Sequence, residues 1–321
     1  MSRITALVLS VGESTVQRAL ASVRRQTLPL QRVTVVTGVQ PFHKAMRAGV
    51  DRVETEFFVQ VDADMVLDRT CVATLYSHMT NDVGMTVGRL RDPLEGLVVG
   101  VKLFRTECAR EFPMPSTVSP DTDFLDQIRA GGWRVPFIDS SLGSHEPVYT
   151  PLYTFAKYLL LGSRARYRRS LDMLCRRFRN LDRCPLELAF LSQVAMARGV
   201  FLTDDRDVHA PVAQDDDYDF FCGFFRSGDG CDSAVVVASQ LAALPPQARF
   251  EASVHLGAAF RHDGAAAGFR QAFGRLQGVG DEAGWLARVG LVRGLYLGDA
   301  DAGQIGRDFD FLTRVFGDDF E

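Results

Sequence analysis

Two aspartates one residue apart, Asp62 and Asp64, directly follow the apolar run Phe57–Val61. Both carboxylates cannot face a core, because an unpaired buried charge is costly. Hard divalent cations prefer carboxylate oxygens and keep open positions for phosphate. The pair therefore predicts an open metal site, although an acidic turn at the protein surface would show the same pattern.

The elements that must position these carboxylates alternate between strand and helix patterns. Ile4–Val11, Arg32–Thr37 and Glu56–Val61 are typical of buried strands. Helical patterns lie between them: Ser14 and Gln17 form a predicted capping box at the start of the first helix, and Pro41–Gly49 is the second. Strands that alternate with helices predict an α/β fold with a mostly parallel, doubly wound, Rossmann-like sheet.

In such a sheet, ligands bind beyond the carboxyl ends of the strands. Gly12, Thr37–Gly38 and Asp62–Asp64 follow the three predicted strands, so we expect them to meet in one crevice. The chain continues with further predicted elements, which are a helix over 69–79, strands over 83–87 and 97–104, a helix over 120–130 and a strand over 134–138.

Composition limits the class of protein. The chain has 321 residues, 46% of them hydrophobic, and a formal charge of −4, which is ordinary for a folded globular protein. No apolar run reaches the roughly 18–20 residues of a membrane span, and no cleavage site follows the first strand. Six scattered cysteines without a C-x-x-C pair indicate neither a disulfide framework nor a zinc site. A cytoplasmic protein is the expectation.

Charge and pattern divide the rest of the chain. Residues 157–183 carry a net charge of +7 and residues 204–321 one of −10. A shift of 35 residues aligns Ala252 with Ala287 and Val254 with Val289, close to the period of tetratricopeptide-type hairpins. Chance matches in an Ala-rich helical region would look the same. The predicted organisation is a catalytic domain over 1–155, a basic helical extension over 156–203, an acidic linker or loop over 204–232 and a helical domain over 233–321.

The first half of the chain resembles the family 2 glycosyltransferases of the GT-A fold. The resemblance lies in Ala21–Pro29, which contains the phrase S-V-x-x-Q-T, and in the D-x-D of Asp62–Asp64 at the expected separation. Ser119–Phe124 and Gly131–Val135 are similar to the acidic segment and the following glycine segment of the family. The resemblance covers roughly residues 4–150, and it implies a GT-A domain followed by a mainly α-helical C-terminal region.

The resemblance also implies roles for individual residues. Asp62 and Asp64 would hold Mn²⁺ or Mg²⁺ against the donor diphosphate, and His145 would be a third ligand. Asp121 would be the general base that takes the proton of the acceptor hydroxyl in an inverting transfer, although a carboxylate there could equally stabilise a helix N-terminus. The predicted donor-binding residues are Ser10, Val11, Thr37, Lys44, Arg47 and Ala63 with the two aspartates, and the predicted acceptor-binding residues are Asp123 and Trp133.

The basic stretch has several interpretations. Arg166, Arg168 and Arg169 could bind the donor phosphates, contact anionic lipid or protein at a membrane periphery, or pair with the acidic tail. Nucleic acid is not expected, because the overall charge is negative and few aromatic residues interleave. Ser170 stands where processive polysaccharide synthases have a tryptophan, which favours transfer of a single sugar.

Departures from the family pattern leave alternatives open. Thr37–Gly38 replaces the usual acidic residues after the second strand, and Pro120 precedes the base candidate. A UDP-sugar is the favoured donor, and the acceptor is undetermined among a glycan, a lipid-linked precursor and a protein. A nucleotidyltransferase is disfavoured because Gly12–Ser14 lacks a Gly-rich, Arg-containing loop. A non-catalytic scaffold on the same fold is the alternative from another class.

Overall fold

The computed structural model describes residues 3–117, 119–184, 187–202, 211–226, 240–241, 243–276, 281–298 and 300–316. The chain divides into two units, residues 1–148 and 149–321. The first unit is an α/β domain and the second is helical in its described parts. This confirms the predicted fold class, and the division falls just before the helix that begins at Pro151.

The first unit is built on a seven-stranded sheet in the order β2-β1-β3-β6-β5-β7-β4. The sheet is mixed rather than mostly parallel as predicted. The pairs β1–β2, β1–β3 and β5–β7 are parallel, and β3–β6, β5–β6 and β4–β7 are antiparallel. The strands are β1 (Ile4–Ser10), β2 (Arg32–Thr37), β3 (Phe57–Asp62), β4 (Met65–Leu67), β5 (Met85–Asp92), β6 (Gly96–Arg105) and β7 (Phe137–His145).

Five helices in the described residues cover the two faces of this sheet. One face packs Val8, Val59 and Val61 against the helices that follow β1 and β4. The other packs Leu7 and Phe58, among others, against the remaining helices. The helices are α1 (Val16–Arg24), α2 (Phe42–Val50), α3 (Cys71–Ser77), α4 (Thr106–Glu111) and α5 (Pro120–Ala130).

Two local predictions for this unit are wrong. The capping box at Ser14 does not form, because α1 starts at Val16 and its N-cap, Thr15, makes no side-chain capping bond. The strand predicted over 134–138 begins only at Phe137 and continues to His145. Arg134 contributes an isolated bridge to Val83, and Pro136 behind it lacks the N–H that a sheet ladder needs.

The described part of the second unit consists of eight helices. No described helix is long and apolar enough to cross a membrane. The helices are α6 (Pro151–Arg168), α7 (Leu171–Asp182), α8 (Glu187–Gly199), α9 (Pro211–Arg226), α10 (Pro246–Asp263), α11 (Ala266–Arg275), α12 (Asp281–Leu297) and α13 (Ala302–Phe316).

Helix α9 corrects the prediction of an acidic linker or loop over 204–232. Its aromatic residues pack inward: Phe221 lies 5.9 Å from Phe155, and Phe225 lies 5.2 Å from Phe190, between ring centroids. These contacts bury the apolar side of a segment whose aspartates suggested a loop. The other residues of that prediction, 204–210 and 227–232, lie outside the described residues.

One pattern of helix contact occurs twice in the second unit. A Cβ on Gly162 of α6 would lie 2.0 Å from the carbonyl oxygen of Met196, and one on Gly199 of α8 would lie 2.1 Å from that of Leu159. Gly257 and Gly294 make the equivalent contacts with Leu291 and Val254, each residue 95 positions further along (257 − 162 and 294 − 199). Helices α6 and α10 also begin 95 positions apart, at Pro151 and Pro246. The unit therefore contains two copies of one helix-pair geometry.

The tetratricopeptide-like repeat predicted over 233–321 stays a prediction. Helices α10 and α12 begin 35 positions apart, which is the period of that repeat.

This close approach predicts a large effect of a small substitution. Gly162→Ala places a methyl group against a backbone carbonyl that cannot move alone, so we expect a loss of roughly 1–3 kcal/mol of unfolding free energy. Gly306→Ala is the matched control, because it is helical with no atom within 4 Å of the new Cβ. The control should be neutral or stabilising by up to about 1 kcal/mol. Urea unfolding followed by circular dichroism measures both, and equal stability of the two variants would contradict the contact.

Candidate active site

The carboxyl ends of the first three strands meet, as the sequence predicts. Strand β1 lies between β2 and β3. The N–H of Gly38 donates to the carbonyl of Ser10 (2.8 Å), and the N–H of Ala63 donates to that of Leu9 (3.0 Å). These bonds hold the residues after each strand at one edge of the sheet, beside Asp62 and Asp64.

A stack of three phenylalanines positions α5 over the sheet. Phe58 of β3 and Phe104 of β6 stack with ring centroids 4.8 Å apart, and Phe124 of α5 lies 5.8 Å from Phe104. All three are buried. Asp121 precedes Phe124 by three residues and lies on the same side of α5. The stack therefore brings Asp121 towards the sheet near the end of β3.

A cluster of charged groups lies next to this stack. Lys102 of β6 is the cross-strand partner of Gln60, and Asp62 shares their face because side chains alternate along a strand. The Nζ of Lys102 lies 3.1 Å from Oδ1 of Asp121, and Nε2 of Gln60 donates to Oδ1 of Asp62 (2.6 Å). The sheet register thus joins Asp62 and Asp121, 59 positions apart in sequence (121 − 62), through one lysine.

Burial and charge determine how this cluster ionises. Burial raises the pKa of Asp62 to about 7, an effect opposed by Lys102 and increased by Asp64 and Asp121. Burial lowers the pKa of Lys102, but the carboxylates of Asp121 and Asp62 outweigh it, so the net shift is upward. Lys102 is therefore a cation at neutral pH beside the carboxyl groups of Asp121 and Asp62.

Asp64 and His145 form a second part of the site. Residue 145 is paired with Met65 by the antiparallel pairing of β4 and β7, and its Nε2 lies 3.1 Å from Oδ2 of Asp64. Its Nδ1 lies 2.7 Å from Oδ2 of Asp92, whose side chain is fully buried. Oδ1 of Asp92 accepts the N–H groups of Leu94 and Glu95 (2.8 and 2.9 Å). Asp92 thus fixes the imidazole at the end of β7.

The unsatisfied groups here fit a divalent cation. Oδ1 of Asp64 is buried and has no hydrogen-bond partner among the described residues. As a carboxylate, Asp92 can only accept a hydrogen bond, which places a proton on Nδ1 of His145. Nε2 then faces Oδ2 of Asp64, and either a second proton or a cation must lie between these two acceptors. No group of three His, Cys, Asp or Glu in the described residues forms a ready metal cage, which suits a cation that takes its other ligands from substrate phosphate.

The predicted donor-binding residues lie at this edge in different environments. Ser10 Oγ donates to Oε2 of Glu13 (2.6 Å), and the N–H of Val11 donates to the same oxygen (2.8 Å). Glu13 thus closes the turn after β1 and leaves the Val11 side chain exposed. Thr37 is exposed at the end of β2, whereas Ala63 is buried between the two aspartates.

Other predicted residues lie elsewhere on the first unit. Lys44 and Arg47 are exposed on α2, and Arg47 lines a separate cavity of about 310 Å³ between α2, α4 and α5. Oδ2 of Asp123 accepts a hydrogen bond from Thr117. Trp133 packs against Gly84, with Arg105 5.8 Å from its ring. Arg105 pairs with Phe57 at the opposite end of β3 from Asp62, so the structure does not bring Trp133 to the cluster.

The predicted phosphate-binding arginines belong to the second unit. Arg166 and Arg168 lie in the last turn of α6, and Arg169 ends that helix with a left-handed backbone (φ 50°). The guanidinium of Arg166 donates to the carbonyl of Leu202 and lies 5.0 Å from the ring of Phe311. Arg166 thus makes contacts within its own helical unit.

Two central residues of the site, Lys102 and Asp92, are not among the residues predicted from the sequence. Lys102 is one lysine within the apolar stretch Gly100–Phe104, and a charge in a buried strand is a signal for a paired site. Asp92 gave no such signal, because an aspartate before Pro93 at a strand end is typical of a turn. Its role follows only from the parallel pairing of β5 with β7.

No protein-family model matches the chain, and no curated protein sequence matches it. Among solved structures, the chain is similar to the mannosyltransferase PcManGT from Pyrobaculum calidifontis in complex with GDP-Man and Mn²⁺. The sequence identity is 14%, the match covers 92% of this chain and 88% of that chain, and the TM-score is 0.45. It is also similar to S. aureus TarS 1–349 in complex with UDP and with UDP-GlcNAc, in each case with 10% identity, coverage of 84% and 90%, and a TM-score of 0.37.

Proposed function

We propose that the chain is a glycosyltransferase that moves one sugar from a nucleoside-diphosphate donor to an acceptor hydroxyl. The observation that carries the proposal is the pairing of Asp64 and His145 beside the cluster of Asp62, Lys102 and Asp121, at the carboxyl edge of the sheet. The unsatisfied oxygen of Asp64 offers a cation site, and the carboxylate of Asp121, held by Lys102, offers a proton acceptor. The two together support metal-assisted sugar transfer.

Asp64 and His145, which the structure brings together, would hold the divalent cation, and Asp62 would become the third ligand only by turning from Gln60 towards them. When bound, Mn²⁺ or Mg²⁺ would neutralise negative charge on the departing nucleoside diphosphate. Asp92 would keep the proton of His145 on Nδ1, so that the lone pair of Nε2 points towards Asp64. Thr37 at the end of β2 and Val11 after β1 are exposed and would contact the nucleoside of the donor, for which a UDP-sugar is favoured.

Asp121 would act as the general base. Its side chain is 45% exposed, so an acceptor hydroxyl can reach it, and Lys102 fixes one of its oxygens. The second oxygen can then take the hydroxyl proton while the acceptor oxygen attacks the anomeric carbon from the side opposite the leaving diphosphate. Such a displacement inverts the anomeric configuration. Asp123 lies two positions further along α5 and accepts a hydrogen bond from Thr117. This residue would contact the acceptor.

A binding panel tests the proposal. Calorimetry with UDP, GDP, CMP and dTDP, each with and without Mn²⁺, should show one nucleotide that binds only with the metal. Binding of one nucleotide would identify the donor class. If no nucleotide binds under either condition, the proposal fails and the non-catalytic scaffold takes its place.

Asp92→Asn tests the hydrogen-bond chain behind His145. Asparagine can keep its bonds to the N–H groups of Leu94 and Glu95 only by turning its NH₂ towards Nδ1, which forces the other imidazole tautomer. We expect Mn²⁺-dependent nucleotide affinity to fall by about 10–100-fold, the usual cost of losing a group that orients a metal ligand. Asp139→Asn, at a residue whose side chain is 88% exposed, is the control, and equal affinity of both variants would contradict the role of Asp92.

A further inference from the structure

A cavity of about 540 Å³ lies beside His145, on the Asp92 side of the imidazole. Its lining includes Thr15 and Arg18 from the start of α1, and Arg91 and Asp92 from the end of β5. Asp62, Asp64 and Asp121 are not part of its lining. The cavity is therefore a neighbour of the carboxylate cluster with its own set of side chains.

Most charged side chains that line this cavity have a described partner, but one arginine does not. Arg18 pairs with Glu146, and Ser144 donates to the other oxygen of Glu146 (2.5 Å). Asp92 is occupied by His145 and by two backbone N–H groups. Arg91 is exposed and makes no side-chain hydrogen bond or ion pair within the part of the chain that the structure describes. Its guanidinium is thus the one cation of the lining with no described counter-charge.

Thr15 gives an independent observation at the same cavity. Its Oγ1 is buried and has no hydrogen-bond partner among the described residues. An N-cap hydroxyl normally accepts an N–H of the first helical turn, but Thr15 is the N-cap of α1 and makes no such bond. The first turn of α1 also has no acidic residue. At this end of α1 the N–H groups of Val16 and Arg18 already donate to the carbonyls of Glu13 and Thr15, so the Thr15 hydroxyl is the side-chain group without a described partner at the positive end of the helix.

We propose that this cavity binds a phosphate group of a substrate, held by Arg91, by the hydroxyl of Thr15 and by the start of α1. Arginine matches phosphate oxygens in a two-pronged geometry, and the positive end of the α1 dipole favours a negative group there. The phosphate could belong to the donor or to a phosphorylated acceptor. This choice of source rests on the proposed function, whereas the phosphate site itself does not.

Calorimetry with inorganic pyrophosphate in the absence of metal tests the site. We expect wild type to bind and Arg91→Gln to bind about tenfold more weakly, the effect of one charge-assisted contact. Thr15→Val should also weaken binding. Arg52→Gln, at another exposed arginine of the first unit, removes the same charge and should bind like wild type. Absence of pyrophosphate binding in wild type, or equal weakening by Arg91→Gln and Arg52→Gln, would overturn the proposal.

A second titration distinguishes the two sources. The nucleoside diphosphate selected by the binding panel is titrated with Mn²⁺ into wild type and Arg91→Gln. Parallel weakening of pyrophosphate and nucleotide assigns the cavity to the donor, and weakening of pyrophosphate alone assigns it to an acceptor phosphate. If wild type binds pyrophosphate through Arg91 but binds no nucleotide, the phosphate site stands and the proposed function fails.

Discussion

Asp64→Asn is expected to lower the Mn²⁺-dependent affinity for nucleoside diphosphate by about 100-fold or more, since loss of a metal ligand should exceed loss of an outer contact. Oδ1 of Asp64 is buried without a described partner, and Oδ2 faces Nε2 of His145. In the variant, an NH₂ group replaces one of these two oxygens, and an NH₂ group cannot bind a cation. The fold should persist, because the substitution removes a partly buried charge without changing the size of the side chain.

Asp68→Asn is the matched control for this substitution. Asp68 lies four positions further along and is exposed, so the change in charge is the same without any contact to His145. Its Mn²⁺-dependent affinity should equal that of wild type. Wild-type affinity in Asp64→Asn as well would remove Asp64 from the metal site, and thermal unfolding of both variants checks that they are folded.

Asp121→Asn is expected to reduce the rate of sugar transfer by about 10²–10⁴-fold, the range for loss of a general base. The amide keeps the volume and can still contact Lys102, but it cannot take a proton from the acceptor. Donor affinity should change little, because Asp121 is not among the proposed metal ligands and its described ion pair is with Lys102. The predicted signature is a lower kcat with an unchanged nucleotide Kd.

Asp123→Asn serves as the comparison on the same helix turn. Asp123 bonds Thr117 rather than Lys102, so this variant should retain a kcat within about tenfold of wild type, as expected for a group that only positions the acceptor. If Asp121→Asn keeps the wild-type rate while Asp123→Asn loses it, the base is Asp123. If both keep it, neither carboxylate is the base.

The sequence predicts those elements whose bounds depend on neighbouring residues, but not those whose bounds depend on pairing with distant strands. The bounds of β2 and α5 follow from local pattern, since Arg32–Thr37 alternates apolar residues and Pro120–Ala130 begins with proline. The start of β7 does not, because it depends on pairing with β5, some 50 positions earlier. Helix α9 was missed because its aspartates outweighed the aromatic residues that fix it.

The same distinction holds for the candidate site. Asp62 and Asp64 are visible as neighbours in sequence and stay together in the structure. Lys102 reaches them only through the antiparallel pairing of β6 with β3, and Asp92 reaches His145 only through the pairing of β5 with β7. Trp133 shows the reverse case: an aromatic residue suited to sugar stacking contacts Arg105 at the other end of β3. Sheet register, which one sequence does not specify, decides each of these.

Release of nucleoside diphosphate from a nucleotide sugar in water tests the central claim most directly, because it needs no acceptor. Wild type is incubated with the sugar form of the nucleotide that binds, with Mn²⁺ and with a chelator, beside Asp64→Asn and Asp68→Asn. We predict slow release by wild type and Asp68→Asn, which stops with the chelator, and no release by Asp64→Asn. Release that continues at the same rate in Asp64→Asn, or no release from any nucleotide sugar by wild type, would contradict it.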